Sequence, residues 1–595
     1  MDYHTLPEIL KFMRSRYDNP PALKLARENG WTGWSAEEFY RAVVRLALGL
    51  QEHGIKGQNI GLIAPSSPYW LMVDLAIMLS GNVTVPIFKR ISAESMSFEV
   101  RDSKIRCMFI GLESELEMVR AHGKGVKTIV PLQISADGSD ILPFEKLMDS
   151  GRAAEEGDSK REPELFDRLA ADDLATIIYT SGSTGHPKGV ELSQHNIVSQ
   201  VKAAVERFPR DGEREAALSS LPPAHIFERM ILYYNLASGI SIYFVDRLER
   251  IGELIRDVRP TVITVVPRLL EKIYERFRDT LQARRGLSGL LARKALQRAE
   301  SKPADELASG AADFIYRRLV YRKLHAALGG RLQLIISGAS PLRRQMGRFF
   351  LNAGFPLFEG YGLTEASPVI AVNYPGHNKL GTVGPVYPGV EVRIADDGEI
   401  LARGPNIMRG YHNNPQATKE TLDAEGFLHT GDLGSLDGEG YLTVTGRKKE
   451  LFKKSTGEYV APVPIEQRLA AAPYIDRAVV VADQRKFPSA LIFPNMEKAA
   501  ELQQQTGREA QSVEEFVNGP EFRKELDAVI KEVNNELHHT EEIRDFAVIP
   551  ENLTVEDGEL TPTLKLRRHV VEEKYRETIE AIYSQASTQE RLYER

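Results

Sequence analysis

Of 595 residues only one is a cysteine, Cys107. No disulfide can therefore close within the chain, and no zinc site can be built from cysteine clusters. That scarcity fits a reducing cytosol. An excess of positive charge is also missing: 76 Lys and Arg stand against 83 Asp and Glu, a formal net charge of −7. This argues against a general nucleic-acid binder, which would present a basic face. Long apolar runs are missing too. The first twenty residues, MDYHTLPEILKFMRSRYDNP, have no apolar core of the kind a signal peptide needs. The most apolar stretch, YWLMVDLAIMLSGNVTVPIF at residues 69–88, contains Asp74, Gly81 and Pro86. It reads as a buried helix followed by a strand, not as a membrane span. There is no tandem repeat and no low-complexity tail. The expected location is the cytoplasm.

What is present is ordinary globular composition, 42% hydrophobic and 27% charged, in a chain too long for one core. Short runs rich in Ile, Val and Phe alternate with helical patterns through the first two-thirds. Examples are NIGLIAP (59–65), RCMFIGL, KTIVPL, SIYFV and TVITVVP (261–267). Runs of this length and composition read as strands buried on both faces and joined by helices, so a large α/β region is expected. Residues 151–172 are polar and charged and are expected as a surface crossing. Residues 279–312, rich in Ala, Arg and Leu, read as an inserted helical segment. After residue 441 the lysine-rich turn GRKKELFKKSTGEYV leads into two strand-like runs, DRAVVVAD and SALIFPN, and then long polar helices. This predicts a domain boundary near Gly446, with a large domain over 1–446 and a smaller α+β domain over 447–595.

Chemistry concentrates at residues 179–190, YTSGSTGHPKGV, directly after the apolar run LATII. Glycines let backbone N–H groups approach an anion, hydroxyls add donors and a lysine adds mobile positive charge, so the stretch is suited to phosphate. It matches neither G-x-x-x-x-G-K-[ST] nor G-x-G-x-x-G, because Lys188 is followed by Gly189 and Val190. Taken alone it also reads as a glycine-rich surface turn.

The stretch resembles the signature loop of AMP-forming adenylating enzymes, and further matches follow in that family's order. They are ISGASPL (336–342), EGYGLTEASP (359–368), TGDLGSLDGEGYLTVTGRKKELFKKSTGEYVAP (430–462) and LTPTLKLRR (560–568). LPPAHIFER (221–229), VVPRLLEKIYERF (265–277) and the inserted helix before LQLIISGASPL resemble the long-chain fatty acid–CoA ligase branch. Pro223 stands where leucine is usual in that branch, close to the implied acyl pocket.

The resemblance implies a multi-sheet N-terminal adenylating domain with a smaller mobile α+β domain, and the substrates ATP, coenzyme A and a fatty acid. The implied phosphate ligands are Thr180, Ser181, Gly182, Ser183, Thr184, Gly185 and Lys188, with magnesium on Thr180 and Glu365. Adenine would lie on Tyr361, between Gly338, Ala339 and Ser340 and Glu359, Gly360 and Gly362, with Thr364 beside it. Asp432 would take the ribose hydroxyls, helped by Arg447, with Lys449 at the hinge and Lys453 also on the nucleotide. Lys565 is the implied adenylation lysine, so Lys565, Glu365 and Lys188 form the catalytic set. His225 would lie near the acyl carboxylate, and Gly457 and Tyr459 on the coenzyme A path.

Each residue also has an ordinary reading. Glu365 reads as a surface or capping residue, Tyr361 as a turn aromatic, Asp432 as a common turn residue, Lys565 as part of a solvated face and His225 as a satisfied core residue. Two other functions stay open: an enzyme that stops at the acyl-adenylate or passes it to a carrier protein, and a non-catalytic binding protein on the same fold. The helical pattern ARRGLSGLLARKALQRAE (283–300) gathers Leu287, Leu290 and Leu291 among Arg284, Arg285, Arg293, Lys294 and Arg298. It reads either as a peripheral contact to the inner face of a membrane or as a solvated helix packed on its own protein. Monomer and homodimer are both compatible with the sequence.

Overall fold

The structure, a computed structural model, describes residues 3–17, 22–89, 91–180, 187–210, 212, 214–302, 311–455, 458–506, 512–554, 557–560 and 566–593. The chain divides into two compact units. One comprises residues 1–395, 400–430 and 436–443, and the other residues 396–399, 431–435 and 444–595.

The larger unit is built on two mainly parallel sheets. The first has seven strands, in the order Gly410–Tyr411, Lys188–Ser193, Leu174–Thr180, Val83–Pro86, Asn59–Ile63, Cys107–Ile110 and Thr128–Pro131. From Leu174–Thr180 to Thr128–Pro131 every pairing is parallel, and the two pairings at the other edge are antiparallel. The second has eight strands: Val369–Val372, Leu357–Gly362, Leu334–Ser337, Val262–Val265, Ala216–Ser219, Ser241–Phe244, Leu23–Arg27 and Gly30–Trp34. The apolar runs read from the sequence are these strands, and Cys107–Ile110, Ala216–Ser219 and Val262–Val265 are buried along their whole length. Residues 69–88 form the helix Pro68–Leu79 and the strand Val83–Pro86, as the sequence suggests. Ser67 caps that helix by accepting the Trp70 N–H, and Pro68 fills the first turn, where no N–H is needed.

The stretch 151–172 lies mostly on the surface, as the sequence suggests. It is helical over Phe144–Gly157 and Arg161–Asp167, and it packs on the helix Ala36–Glu52. A Cβ on Gly151 would lie 1.7 Å from the Arg45 carbonyl oxygen, so only glycine allows this approach. Glu155 binds Arg41 at 2.8 Å and Arg45 at 2.6 Å, and the Tyr40 hydroxyl donates to Glu162 at 2.6 Å. Glu155 and Glu162 are half-buried in this pairing, while Asp158, Lys160, Glu164, Asp167 and Arg168 stay exposed.

In the smaller unit, Ile475–Val481 pairs antiparallel with Ser489–Pro494, which pairs parallel with Asp545–Val548. Alternation divides these strands between two cores. Ala478, Val480, Ala490 and Ile492 face the helices Pro462–Leu469 and Pro520–Asn534, whereas Val479, Val481, Leu491 and Phe493 face Val571, Tyr575 and Ile579.

Candidate active site

The site in the larger unit starts from a hairpin. The strand Leu174–Thr180 returns as Lys188–Ser193, antiparallel, with Thr180 opposite Lys188 and Tyr179 opposite Gly189. A Cβ on Gly189 would sit 2.9 Å from Ile177 and 3.1 Å from the Tyr179 ring, so glycine is required for the strands to close. The Tyr179 hydroxyl donates to Asp102 at 2.6 Å and the Thr176 hydroxyl to the Thr84 carbonyl at 2.7 Å. The hairpin mouth is thus fixed to the sheet. Ser181, Gly182, Ser183, Thr184 and Gly185 lie outside the described residues.

Glu365 lies in a helical turn, Thr364–Ala366, just after the strand Leu357–Gly362. Its side chain does not cap that turn. Its carboxylate accepts the Tyr411 hydroxyl at 2.8 Å, and its carbonyl accepts the Met408 N–H at 2.9 Å. The Lys188 ammonium stands 4.8 Å from the Tyr411 ring centroid. The hairpin lysine and the glutamate of the third motif, 177 positions apart in sequence, are therefore linked through one tyrosine. Sequence reasoning did not single out Tyr411. Burial first, then Glu365, pushes its phenol far above the usual range. The local signal for it was slight: a glycine–aromatic pair, Gly410–Tyr411, with Gly410 at φ +155°.

Of the segments implied for adenine, Gly338 to Ser340 follow the strand Leu334–Ser337 and Glu359 to Gly362 end its parallel neighbour, Leu357–Gly362. Ala339 has φ +69°, a left-handed turn that bends the chain away directly after Gly338. Glu359 accepts the Leu342 N–H at 3.1 Å, and burial pushes its carboxyl up to about 7. Tyr361 lies opposite Ala371, at an irregularity in the pairing. A Cβ on Gly362 would fall 1.8 Å from the Pro368 carbonyl oxygen, so the Gly-Tyr-Gly pattern has a steric basis whatever ligand it holds.

His225 is the N-cap of the helix Ile226–Ala237, where its Nδ1 accepts the Phe227 N–H at 3.2 Å. The next two charged residues of LPPAHIFER are buried. Glu228 accepts the hydroxyls of Ser219 at 2.5 Å and Thr264 at 2.6 Å, and burial pushes its carboxyl up to about 7. The Arg229 guanidinium holds Asp74 with two hydrogen bonds, of 2.8 and 2.5 Å, and donates to Thr176 at 2.8 Å. Sequence reasoning missed this pair of roles. Adjacent charges inside an apolar helix were the signal, because such groups enter a core only when partnered.

In the smaller unit Asp432 lies on the strand Leu428–Leu436, and its carboxylate meets the Arg447 Nε at 3.0 Å. The Gly431 N–H donates to Glu399, which also takes Lys448 at 2.9 Å. Tyr459 is exposed on a two-stranded ribbon, Phe452–Lys453 with Tyr459–Val460. Lys565 and Gly457 lie outside the described residues, as do the side chains of Lys449 and Lys453.

Residues 14–412 match the family described as AMP-binding enzyme, and residues 450–587 match the AMP-binding enzyme C-terminal domain. The chain belongs to the AMP-binding enzyme family. A long-chain-fatty-acid–CoA ligase of Mycobacterium bovis is 38% identical over 567 residues, 93% of each chain. Human long-chain-fatty-acid–CoA ligase 1 is 30% identical over 562 residues, 89% of this chain and 78% of that one. These relatives put this AMP-binding enzyme in the long-chain fatty acid–CoA ligase branch. Among solved structures, the adenylation domain of a carboxylate reductase from Mycobacterium chelonae covers 98% of this chain and 91% of its own, with TM-score 0.72 and 22% identity. O-succinylbenzoate coenzyme A synthetase from Bacillus subtilis, in complex with AMP, covers 95% and 97%, with TM-score 0.66 and 21% identity. At this identity the two structures establish the fold: a large α/β adenylating domain followed by a smaller one.

Proposed function

We propose that this chain activates a long-chain fatty acid to its coenzyme A thioester, by way of an acyl-adenylate and with release of AMP and pyrophosphate. The observation that carries the reading is the 38% identity, over 93% of both chains, to a long-chain-fatty-acid–CoA ligase, and the linkage of Lys188 to Glu365 through Tyr411 supports its phosphate chemistry. In the first step a carboxylate displaces pyrophosphate at the α-phosphate, and negative charge grows on the phosphate oxygens. Positioned cations and donors are what that step needs, since a fatty carboxylate is already ionised at neutral pH. Thr180, Lys188 and residues 181–185 would hold the β- and γ-phosphates.

Glu365 and Thr180 offer hard oxygen donors, which suit magnesium bound mainly through nucleotide and water. The ion would supply positive charge to the phosphate oxygens. Gly338 to Ser340, Glu359 to Gly362 and Thr364 would enclose adenine against Tyr361. Asp432 would exchange Arg447 for the ribose hydroxyls. In this reading residues 1–446 bind nucleotide and acyl group, and residues 447–595 are a lid carrying Lys565, with Lys449 at its hinge and Lys453 on the nucleotide. Gly457 and Tyr459 would border the coenzyme A path, and His225 the acyl carboxylate.

The test is AMP and thioester formation across saturated acids from acetate to long chains. A maximum on long acids supports the proposal. Acyl-adenylate without thioester would assign a carrier-loading role, and no product would assign a binding role.

A membrane contact belongs to the same reading. Among the described residues, no helix is long and apolar enough to cross a membrane. Yet Leu287 is 87% exposed, and Leu290, Phe314, Ile315 and Leu319 are exposed with it. Arg285, Arg293, Lys294, Arg317, Arg318, Arg322 and Lys323 are exposed on the same two helical segments, which are joined by a hydrogen bond from the Tyr321 hydroxyl to the Ala295 carbonyl. Leu291, grouped with the other leucines in the sequence, instead packs on the core. Apolar side chains among cations fit the headgroup region of an anionic bilayer. Vesicles rich in phosphatidylglycerol should pellet the wild type and not an Arg285/Arg293/Lys294→Glu variant. Equal pelleting of both removes the proposal.

A further inference from the structure

Residues 406–413 link the glutamate turn to the phosphate hairpin. The Asn406 amide donates to the Ala366 carbonyl and the Met408 N–H to the Glu365 carbonyl, both at 2.9 Å. Gly410 and Tyr411 then form the edge strand beside Glu191 and Val190 of the hairpin. The Arg409 N–H donates to the Glu191 carbonyl at 3.0 Å, and the His412 N–H to the Gly189 carbonyl at 2.7 Å. The His412 ring meets the Glu191 carboxylate at 2.7 Å, and the Asn413 amide donates to the Asp102 carbonyl at 2.9 Å. Asp102 is also the acceptor of the Tyr179 hydroxyl. The Tyr411 backbone is held further by its N–H on the Thr418 hydroxyl at 2.9 Å. The backbone that carries Tyr411 is thus fixed from several sides.

From that fixed position Tyr411 offers two different groups to two different residues. Its hydroxyl donates to Oε1 of Glu365, and its ring faces the Lys188 ammonium. A carboxylate on a one-turn helix can rotate. A donor held on one oxygen sets the plane of the group, and hence the direction in which the other oxygen presents its lone pairs. Outer partners of this kind orient metal-binding carboxylates and tune their affinity. We propose that Tyr411 is a positioning residue for Glu365, setting the carboxylate for the divalent cation that accompanies ATP. The inference rests on the reading of Glu365 as a metal ligand. The ring contact gives the same residue a second role, since it holds the Lys188 ammonium beside the hairpin mouth until phosphate competes for it.

The experiment is a titration of Mn²⁺ into the full chain with a non-hydrolysable ATP analogue, free ion being read by electron paramagnetic resonance. Wild type, Tyr411→Phe, Glu365→Gln and the double variant are compared, with analogue binding in the absence of metal and melting temperature measured for each. Tyr411→Phe should weaken Mn²⁺ binding about tenfold. It should leave metal-free analogue binding unchanged, because the ring beneath Lys188 remains. The double variant should bind no more weakly than Glu365→Gln alone, because the hydroxyl acts only through that carboxylate. Wild-type Mn²⁺ affinity in Tyr411→Phe, with or without a lower melting temperature, overturns the inference while leaving Glu365 as a ligand. Additive losses in the double variant overturn it as well. Wild-type affinity in Glu365→Gln removes the ligand reading itself, and the positioning role goes with it.

Discussion

Each of the two units contains an arginine–aspartate pair, and the two pairs are built differently. In the larger unit Arg229 and Asp74 are both fully buried, with two hydrogen bonds between them and the Tyr233 hydroxyl closing the group on Asp74. Burial is the largest single influence and works against the Arg229 charge, but Asp74 and Tyr233 together outweigh it, so the guanidinium is held above its ordinary range. In the smaller unit Asp432 is 5% exposed but Arg447 is 54% exposed, and the two meet through the arginine Nε. A sealed pair cannot change partner without exposing charge to an apolar core. A half-open pair can, because water solvates the arginine as it turns away. The same two residue types therefore form a closed tie in one place and a solvent-open contact in the other, which is what the proposed exchange of Arg447 for ribose requires.

Breaking the sealed pair should have the largest effect. Arg229→Ala leaves Asp74 buried without its counter-charge and should cost about 3–5 kcal/mol in a denaturant melt. An Asp74→Leu/Arg229→Met double replacement should recover most of that loss, because no charge is then stranded. A loss as large in the double variant would mean that packing, not charge, holds this region.

Next to Arg229, Glu228 makes the opposite use of burial, since no cation offsets it. Its carboxyl is raised from 4.5 to about 7 in the folded protein. Folding therefore favours the protonated acid. The stabilisation is complete below the unfolded value and is lost as pH rises through the folded one. The contribution is ~3 kcal/mol at most. Glu228→Gln mimics the protonated form, so its stability should fall less than that of wild type between about pH 5 and about pH 8. Urea midpoints across that range, with parallel curves for the two proteins, would rule out Glu228 as the titrating group.

The half-open pair should behave in reverse. Asp432→Ala should cost less stability than Arg229→Ala, because water solvates the Arg447 left behind. It should weaken ATP binding about tenfold or more, through loss of hydrogen bonds to a charged acceptor. Isothermal titration with ATP and a thermal melt on the same samples separate the two effects, and a large melt shift with unchanged ATP affinity would reverse the assignment. The smallest effect belongs to contacts at the surface. Lys379 contacts Asp437 and Glu439 at 2.7 and 2.8 Å in water, and Lys379→Ala should leave the melting temperature unchanged.

Much of this organisation was legible in the order of residues alone. Runs such as those of the strands Asn59–Ile63 and Val262–Val265 are short, apolar on successive residues and rich in branched side chains. A strand buried on both faces asks for that pattern. The loop between Leu174–Thr180 and Lys188–Ser193 stood out in the sequence because glycines, hydroxyls and a lysine crowd into one short stretch, the composition proposed above to hold phosphate. Residues 151–172 were legible as surface, but not which of their charges pair, because a charge in sequence looks the same whether it faces water or a partner on another helix. Glu155 and Glu162 show the second case.

What the sequence by itself determined is the family, the strand and helix alternation, and the residue types from which the proposed ligands of phosphate, ribose and metal are drawn. Those follow from local chemistry, which a linear order carries. Tertiary structure alone decided that Arg229 finds Asp74 155 positions away, that Glu228 keeps company with Ser219 and Thr264, and that Tyr411 joins Lys188 to Glu365. Each of these depends on two or more elements meeting in space, and burial and partner choice exist only once they have met.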